Sequence, residues 1–257
     1  MGESVLAGML DAQGSPSGTA VVEQRPDRAR ELADRYQVQV AATPEDVVGS
    51  DTDVLVVAVK PHDVADALAA VSTSLPSGCV VVSVAAGVTT ASMEDALPVG
   101  QPVVRAMPNT PALVGAGITA ICAGQHTTDD NMDVAEELLS ALGAVVRVPE
   151  TQMDAVAAVS GSGPAYVYLV AEAMIEGGVR VGLPRDLATA LTRATIAGAA
   201  RLWEETGEHP GVLRERVTSP GGTTAAALHA LESGGLRAAF LDAVVANRDR
   251  SAELGGR

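Results

Sequence analysis

The residues best suited to hold an anion lie in the stretch TSPGGTT, 218–224, which leads directly into a predicted helix over 225–231. A glycine-rich turn that opens a helix presents unpaired backbone N–H groups and the positive end of the helix dipole. Such a turn has the size to bind one carboxylate or phosphate, and the hydroxyls of Thr223 and Thr224 stand beside it. The alternative is an ordinary helix N-cap without a ligand.

Three further candidates lie where apolar runs typical of buried strands end. Lys60 ends the run DVLVVAV, the small residues 85–87 (Ala-Ala-Gly) end the run VVVSV, and Asn109 lies in the motif RAMPNTP. In open α/β sheets the carboxyl ends of the strands form the ligand crevice, so these residues would meet a bound molecule there. The Asn109 amide can donate and accept, as recognition of a nicotinamide carboxamide requires. The alternatives are a strand end in solvent, a tight turn and an Asx-turn, respectively.

Other catalytic chemistries find little support in the sequence. Ser162 lies in Gly-Ser-Gly rather than G-x-S-x-G, and no strand precedes it, which argues against a nucleophile elbow. The four histidines lack Cys or carboxylate partners at metal-ligand spacing, and no Ser-His-Asp or Cys-His set occurs, so we expect neither a metal site nor covalent catalysis. Cys79 and Cys122 lie in apolar runs and are expected to be buried thiols in a reducing compartment.

The composition favours a globular protein with an aliphatic core. Of 257 residues, 47% are hydrophobic and only 2% aromatic, and 17 basic against 32 acidic residues give a net charge of −15. A surface of this sign repels phosphate backbones and anionic lipid heads, so we expect no nucleic-acid or membrane partner. Neither a basic-then-apolar leader nor a long apolar span is evident, and the protein is predicted to be cytoplasmic.

A sheet is needed to bring the candidate residues together, and residues 1–150 carry its pattern. Seven short β-branched runs alternate with helical segments there, as in a doubly wound nucleotide-binding fold with a parallel sheet covered on both faces. After residue 150 only helical periodicity broken by Gly and Pro continues. The sequence therefore predicts an α/β domain over 1–150 and an all-α domain over 151–257, whose excess apolar surface favours packing against a second copy of the chain.

Five stretches, in their order and spacing, closely resemble motifs of the pyrroline-5-carboxylate reductase family. They are VVAVKP (56–61), VVRAMPNTPALVGAG (103–117), DAVAAVSGSGPAYVY (154–168), GLPR (182–185) and VTSPGGTTAAALHALESGG (217–235). PNTP, SGSGPAY and SPGGTT together are highly specific, and the match runs almost end to end. The resemblance implies a Rossmann-type N-terminal domain that binds NAD(P)H, an all-α domain that interleaves with a partner chain, and assembly into homodimers and, in some members, decamers. The implied reaction is hydride reduction of Δ1-pyrroline-5-carboxylate to L-proline, the last step of proline synthesis.

The resemblance also assigns roles to the candidate residues. Backbone groups of the SPGG turn would hold the substrate carboxylate, and Thr224 would hydrogen-bond the ring nitrogen. No strong general acid accompanies the motif, so positioning is expected to dominate catalysis, with Thr224 and Lys60 as the catalytic candidates. The expected substrate-binding residues are Ser219, Gly221, Gly222, Thr223 and Thr224. The expected cofactor-binding residues at the strand ends are Ala58, Val59, Lys60, Pro61, Val84, Ala85, Ala86 and Asn109.

Two neighbouring residues bear on the choice of cofactor. An acidic residue about 20 positions after the Rossmann glycine fingerprint binds the ribose 2′-OH of NADH, whereas an arginine nearby accommodates the 2′-phosphate of NADPH. Glu23 and Arg25 support opposite choices. The basic cluster of Arg25, Arg28 and Arg30 in an otherwise acidic chain favours NADPH. NADH stays open as the alternative.

The start of the chain, MGESVLAGML, resembles the family's first helix together with the glycine before it. In the family a strand and the turn G-x-G-x-x-G come first, so Gly2 corresponds to the last fingerprint glycine and is a further cofactor-binding candidate. Glu23 follows Gly2 by 21 residues, which supports this register. We therefore expect that Met1 is a misplaced start, that the first strand and first two glycines are missing, and that two central sheet edges are unpaired.

Two other functions remain compatible with the sequence. The first is a related two-domain imine or 3-hydroxy-acid reductase, which assays with pyrroline-5-carboxylate and with 3-hydroxy acids would distinguish. The second is a cofactor-deficient, non-catalytic oligomer, which a fluorescence titration with NADPH would distinguish.

Overall fold

The structure is a computed structural model that describes residues 1–255, without the side chains of residues 12 and 13. The chain forms two units. The first comprises residues 1–162 together with the residues from Asn247 onward, and the second comprises residues 163–246. All the strands in the described part of the chain belong to the first unit, and the second is entirely helical.

The first unit contains seven strands within the described residues, each at one of the predicted β-branched runs. They are β1 (Ala20–Val22), β2 (Gln39–Ala41), β3 (Val54–Val57), β4 (Val80–Ser83), β5 (Val103–Met107), β6 (Gly117–Ala123) and β7 (Gly143–Arg147). β1 and β2 pair in parallel as a two-stranded sheet, and β3 to β7 form a five-stranded sheet in chain order. Among the described strands, β1 and β2 each have one ladder partner, as do β3 and β7 at the two ends of the five-stranded sheet.

The five-stranded sheet is parallel, as predicted, except at one pair of strands. β6 pairs with β5 in antiparallel orientation, with Arg105 opposite Cys122, whereas the other pairs in the sheet are parallel. The reason is the length of the connection, since residues 108–116 contain one 3₁₀ turn, Thr110–Val114. A parallel crossover needs a dozen or more residues, so a connection this short must reverse the chain.

Helices cover both faces of the five-stranded sheet. The first unit contains α1 (Gly2–Gln13), α2 (Pro26–Tyr36), α3 (Val64–Val71), α4 (Thr90–Glu94), α5 (Asp129–Ser140) and α6 (Met153–Val156), which continues as a π-helical turn, Ala157–Gly161. On one face, residues of α1 and α5 such as Val5 and Leu139 pack with Val82 of β4. On the other face, Leu68 of α3 and Met93 of α4 pack with Val81. β4 is therefore buried on both sides, as its uninterrupted apolar run predicts.

The second unit carries very little buried surface of its own. It contains α7 (Gly163–Arg180), α8 (Arg185–Thr206), α9 (Pro210–Arg216), α10 (Thr223–Ser233) and the beginning of α11 (Leu236–Leu254). Of residues 163–246, Ala188 and Thr192 alone are buried, whereas Leu241 and Val217 are 69% and 66% exposed. No helix in the described part of the chain combines the length and apolar character needed to span a membrane.

Candidate active site

The carboxyl ends of three parallel strands bring the first group of candidate residues to one edge of the sheet. Val57 at the end of β3 is in register with Ser83 of β4, which is in register with Arg105 of β5. The segments that come after these strands therefore lie side by side. They contain the exposed residues Ala58, Val59, Lys60, Pro61 and Ala86, the buried residues Val84, Ala85 and Asn109, and no other lysine, because Lys60 is the only one in the sequence.

Gly2 lies where the start of α1 approaches the end of β3. A Cβ atom at this position would lie 2.9 Å from the Cβ of Ala58, so only glycine permits the observed approach. Close packing of helix against strand is the role of the third glycine in the Rossmann fingerprint, and the N-terminus of that helix faces the pyrophosphate. The close packing at Gly2 is therefore of the kind that the resemblance implies for the last glycine of the fingerprint.

The arginines of the predicted basic cluster differ in their surroundings. Arg28 forms ion pairs with Glu3 and Glu31, and Arg30 lies 3.0 Å from a carboxylate oxygen of Asp27. Hydrogen bonds from Arg28 and Tyr36 lower the pKa of the Glu3 carboxyl group.

Arg25 follows β1 and is exposed. Its backbone N–H donates to Oε1 of Glu23 at 2.9 Å, which turns the Glu23 carboxylate toward the start of α2. The guanidinium of Arg25 forms no ion pair with the described residues, so it is the cation of this cluster best placed to meet a phosphate.

The side-chain amide of Asn109 makes two hydrogen bonds within the first unit. Its Oδ1 accepts from the backbone N–H of Ile118 at 3.0 Å, and its Nδ2 donates to the carbonyl of Ser160 at 3.2 Å. Asn109 is 8% exposed. The amide therefore connects the loop between β5 and β6 to the π-helical turn, and little of it remains to contact a cofactor.

A buried ionic cluster lies next to this edge, and the predictions from the sequence do not include it. Arg105 is 2% exposed, and its Nη1 donates to Oε1 of Glu150 at 3.2 Å. Asp154, whose Oδ1 accepts from the Ser251 hydroxyl, lies 4.0 Å from Nη2 of Arg105. The sequence did contain an indication of a buried ion pair, because an arginine inside the apolar run VVRAM must be paired when it is buried. The sequence did not indicate which carboxylates would pair with it.

Glu150 also accepts two hydrogen bonds from Thr90, the first residue of α4. The Thr90 backbone N–H donates to Oε1 at 2.8 Å, and the Thr90 hydroxyl donates to Oε2 at 2.6 Å. Burial acts to raise the pKa of Glu150, but the hydrogen bonds from Thr90 and Arg105 outweigh it, so the pKa of this carboxyl is lowered.

In the second unit, residues 219–222 form a tight turn. The N–H of Gly222 donates to the carbonyl of Ser219 at 3.0 Å, with Pro220 second and Gly221 third in the turn. The φ of Gly221 is +68°, so this is a type II turn. A Cβ at Gly222 would collide with Oγ of Ser219 and lie 3.1 Å from its carbonyl oxygen. The two glycines therefore serve different purposes, one conformational and one steric.

The turn leads directly into α10, whose N-cap is Gly222. This helix has no side-chain cap, so the first backbone N–H groups, from Thr223 onward, are available to a ligand. Thr224 is half-buried in the first turn, and Thr223 is exposed. The arrangement suits a carboxylate held by backbone N–H groups, with the Thr224 hydroxyl beside it.

The structure also locates Ser162 and Cys79, for which the sequence predicts no catalytic role. Asn247 Nδ2 donates to Oγ of Ser162 at 2.8 Å, and Ser162 begins no strand-to-helix turn. Burial raises the pKa of the Cys79 thiol to about 11. Within residues 1–255, no group of three His, Cys, Asp or Glu side chains is arranged to hold a metal ion.

Comparison with known proteins covers both units. The family model described as pyrroline-5-carboxylate reductase dimerisation matches residues 150–254, and the one described as NADP oxidoreductase coenzyme F420-dependent matches residues 1–87. The pyrroline-5-carboxylate reductase of Corynebacterium melassecola is 42% identical over 258 residues, which cover 99% of this chain and 95% of that protein.

Two known structures share the fold over nearly their whole length. A pyrroline-5-carboxylate reductase from Coxiella burnetii matches with a TM-score of 0.92 at 36% identity, covering 98% of this chain and 94% of that one. The Plasmodium falciparum pyrroline carboxylate reductase with NADP bound matches with a TM-score of 0.86 at 27% identity, covering 99% and 94%. With 42% identity to a member over 99% of the chain, the chain belongs to the pyrroline-5-carboxylate reductase family.

Proposed function

We propose that this protein reduces Δ1-pyrroline-5-carboxylate to L-proline at the expense of NADPH or NADH. The observation that carries the proposal is 42% identity to a pyrroline-5-carboxylate reductase across 99% of the chain. The type II turn at 219–222 supports it independently, because a substrate with one carboxylate needs one anion site of this size.

The substrate is held at the start of α10. Backbone N–H groups after Gly222 bind the carboxylate, and the side chain of Ser219 lines the turn. The Thr224 hydroxyl donates to or accepts from the ring nitrogen, which must carry a proton when the C=N bond is reduced. Since no strong acid lies in this segment, the contribution of the protein is mainly to orient the ring and to keep the nitrogen protonated.

Three features of the first unit support the binding of a nicotinamide dinucleotide. The glycine start of the 12-residue helix α1 offers backbone N–H groups to the pyrophosphate. The segments 58–61 and 84–86 offer backbone groups and, in Lys60, a cation at the strand ends. Asn109, which the sequence suggested as a further contact, supports this edge through its bonds to Ile118 and Ser160. When bound, the dihydronicotinamide supplies the hydride that reduces the C=N bond.

The proposed cofactor preference is for NADPH, and it rests on Arg25. Arg28 and Arg30 are engaged by carboxylates, which leaves Arg25 beside Glu23 to bind the 2′-phosphate. Arg25→Ala should then raise the KM for NADPH and leave the KM for NADH unchanged. Glu23→Gln is the matched variant and should weaken NADH use instead. A wild-type preference for NADH of more than tenfold would contradict the assignment.

We propose that residues 1–150 form the dinucleotide-binding domain and residues 151–257 the substrate and dimerisation domain. The near absence of buried residues in 163–246 supports association of that domain with a second copy. A homodimer is the proposed unit, and a decamer is the proposed higher assembly. Light scattering on the purified protein measures both.

The decisive test is NADPH oxidation by the purified protein with pyrroline-5-carboxylate, accompanied by identification of L-proline as the product. Turnover with 3-hydroxy acids and none with pyrroline-5-carboxylate would instead indicate the related two-domain reductase. Lack of any change in NADPH fluorescence on titration would indicate an oligomer that does not bind the cofactor.

A further inference from the structure

We propose that Glu150, held by Arg105, is a positioning residue that fixes the loop after β4, residues 84–89, for nucleotide binding by anchoring Thr90. The inference rests on the proposed function, because nucleotide binding by this loop is part of it. None of the three residues is proposed to touch the substrate or the cofactor.

The loop is held at its first end by the sheet. The N–H of Val84 donates to the carbonyl of Val57 at 3.0 Å, which continues the ladder between β3 and β4. Beyond this point the ladder stops, and Gly87 has a φ of +79°. Without a second anchor, the residues after Ala85 would be free to leave the edge of the sheet.

Glu150 supplies the anchor at the other end. Thr90, which is 6% exposed, uses both its backbone N–H and its hydroxyl to bind the two carboxylate oxygens. The carboxylate also lies at the positive end of α4, a helix of five residues that is too short to hold its own position. Thr89 caps α4 by accepting from the N–H of Ser92 at 3.2 Å, so the Glu150 contact is additional to the ordinary cap.

Arg105 connects this anchor to the sheet. It lies on β5, directly beside β4, and its buried guanidinium donates to the same Glu150 oxygen that accepts the Thr90 N–H. The chain and these hydrogen bonds thus form a continuous connection from β4 through the loop, Thr90 and Glu150 to Arg105 on the adjacent strand. This connection keeps both ends of the loop at one edge of the sheet, which is preorganisation of the kind that lowers the free-energy cost of ligand binding.

The sharpest test is Thr90→Val, which preserves the β-branched shape and removes only the hydroxyl donor. Because a hydrogen bond to a carboxylate is lost, we expect the KM for NADPH to rise about tenfold. The kcat and the KM for pyrroline-5-carboxylate should stay within a factor of about two, since the loop is proposed to contact the nucleotide and not the substrate. Thr90→Ser should restore the wild-type KM. Ser140→Ala, which removes a hydroxyl at the end of α5 that donates to the carbonyl of Glu137 at 2.7 Å, is the control and should have no effect.

Hydrogen–deuterium exchange provides a readout that needs no catalysis. Peptides that cover 84–90 should exchange faster in Thr90→Val and in Glu150→Gln than in the wild type and in Thr90→Ser. Unchanged exchange and an unchanged NADPH KM in Thr90→Val would overturn the inference, as would equal impairment of the Val and Ser variants. If the wild type does not reduce pyrroline-5-carboxylate, the proposed function fails, and the exchange data still decide whether Glu150 holds the loop.

Discussion

Replacement of Gly221 by alanine tests whether the shape of the turn at 219–222 holds the substrate carboxylate. The φ of Gly221 is +68°, and a Cβ there would meet no atom within 4 Å, so the cost of the side chain is conformational and not steric. A non-glycine residue in this region costs about 1–2 kcal/mol. If the turn relaxes to avoid that cost, about 3–20% of the molecules keep the binding-competent form, and the apparent substrate affinity falls about fivefold to thirtyfold.

Initial rates of NADPH oxidation at varied pyrroline-5-carboxylate measure this effect as a rise in KM. If the turn keeps its shape in Gly221→Ala, the strain lowers the stability of the folded state, and thermal unfolding measures this as a lower melting temperature. Gly221→Asn is the matched control, because asparagine tolerates the left-handed region, and it should recover most of the affinity. Gly222→Ala should raise the KM through a different cause, since its Cβ displaces the Ser219 side chain that lines the turn. A Gly221→Ala variant with the KM and the melting temperature of the wild type would refute the reasoning, as would an Asn variant equally impaired.

Three further perturbations test other parts of the site. Thr224→Ala should lower kcat by roughly tenfold to a thousandfold, whereas Thr224→Ser keeps the hydroxyl; wild-type turnover in the Ala variant excludes the role. The lowered pKa of Glu150 contributes stability above the unfolded-state pKa, which is lost as pH falls through the folded-state pKa. Urea unfolding should therefore show a shallower acid dependence in Glu150→Gln, and identical dependence would contradict this. Trinitrobenzenesulfonate should modify Lys60, the only lysine, more slowly when NADPH is bound, and equal rates would argue against a cofactor contact.

The strands could be predicted because they depend on local patterns. A run such as VVVSV is apolar at consecutive positions because β4 is buried on both faces, and no long-range knowledge is needed to recognise it. The type II turn at 219–222 could be predicted as well, because a proline and two glycines directly before a helix specify both the turn type and the uncapped helix start.

Side-chain partners could not be predicted, since they depend on which segments meet. Arg105 and Glu150 are 45 residues apart, and Thr90 and Glu150 are 60 residues apart. Burial of Arg105 required a carboxylate, but 32 acidic residues were available. The ion pairs of the basic cluster at 25–30 could not be predicted either. Acidic residues from the same segment and from α1 pair with Arg28 and Arg30, and a count of charges along the sequence does not reveal this.

The orientation of β6 explains why the amide of Asn109 is engaged inside the fold. A parallel β6 would have started at the opposite edge of the sheet, far from the end of β5. Because β6 is antiparallel, it starts at the same edge, and the N–H of Ile118 reaches the Asn109 side chain nine residues earlier in the chain. The reversal also requires Gly117, where a Cβ would lie 2.8 Å from the backbone N of Ala112 and from the carbonyl oxygen of Leu142. The short connection therefore determines the strand direction, and the strand direction in turn makes Asn109 a link between two segments of the site edge.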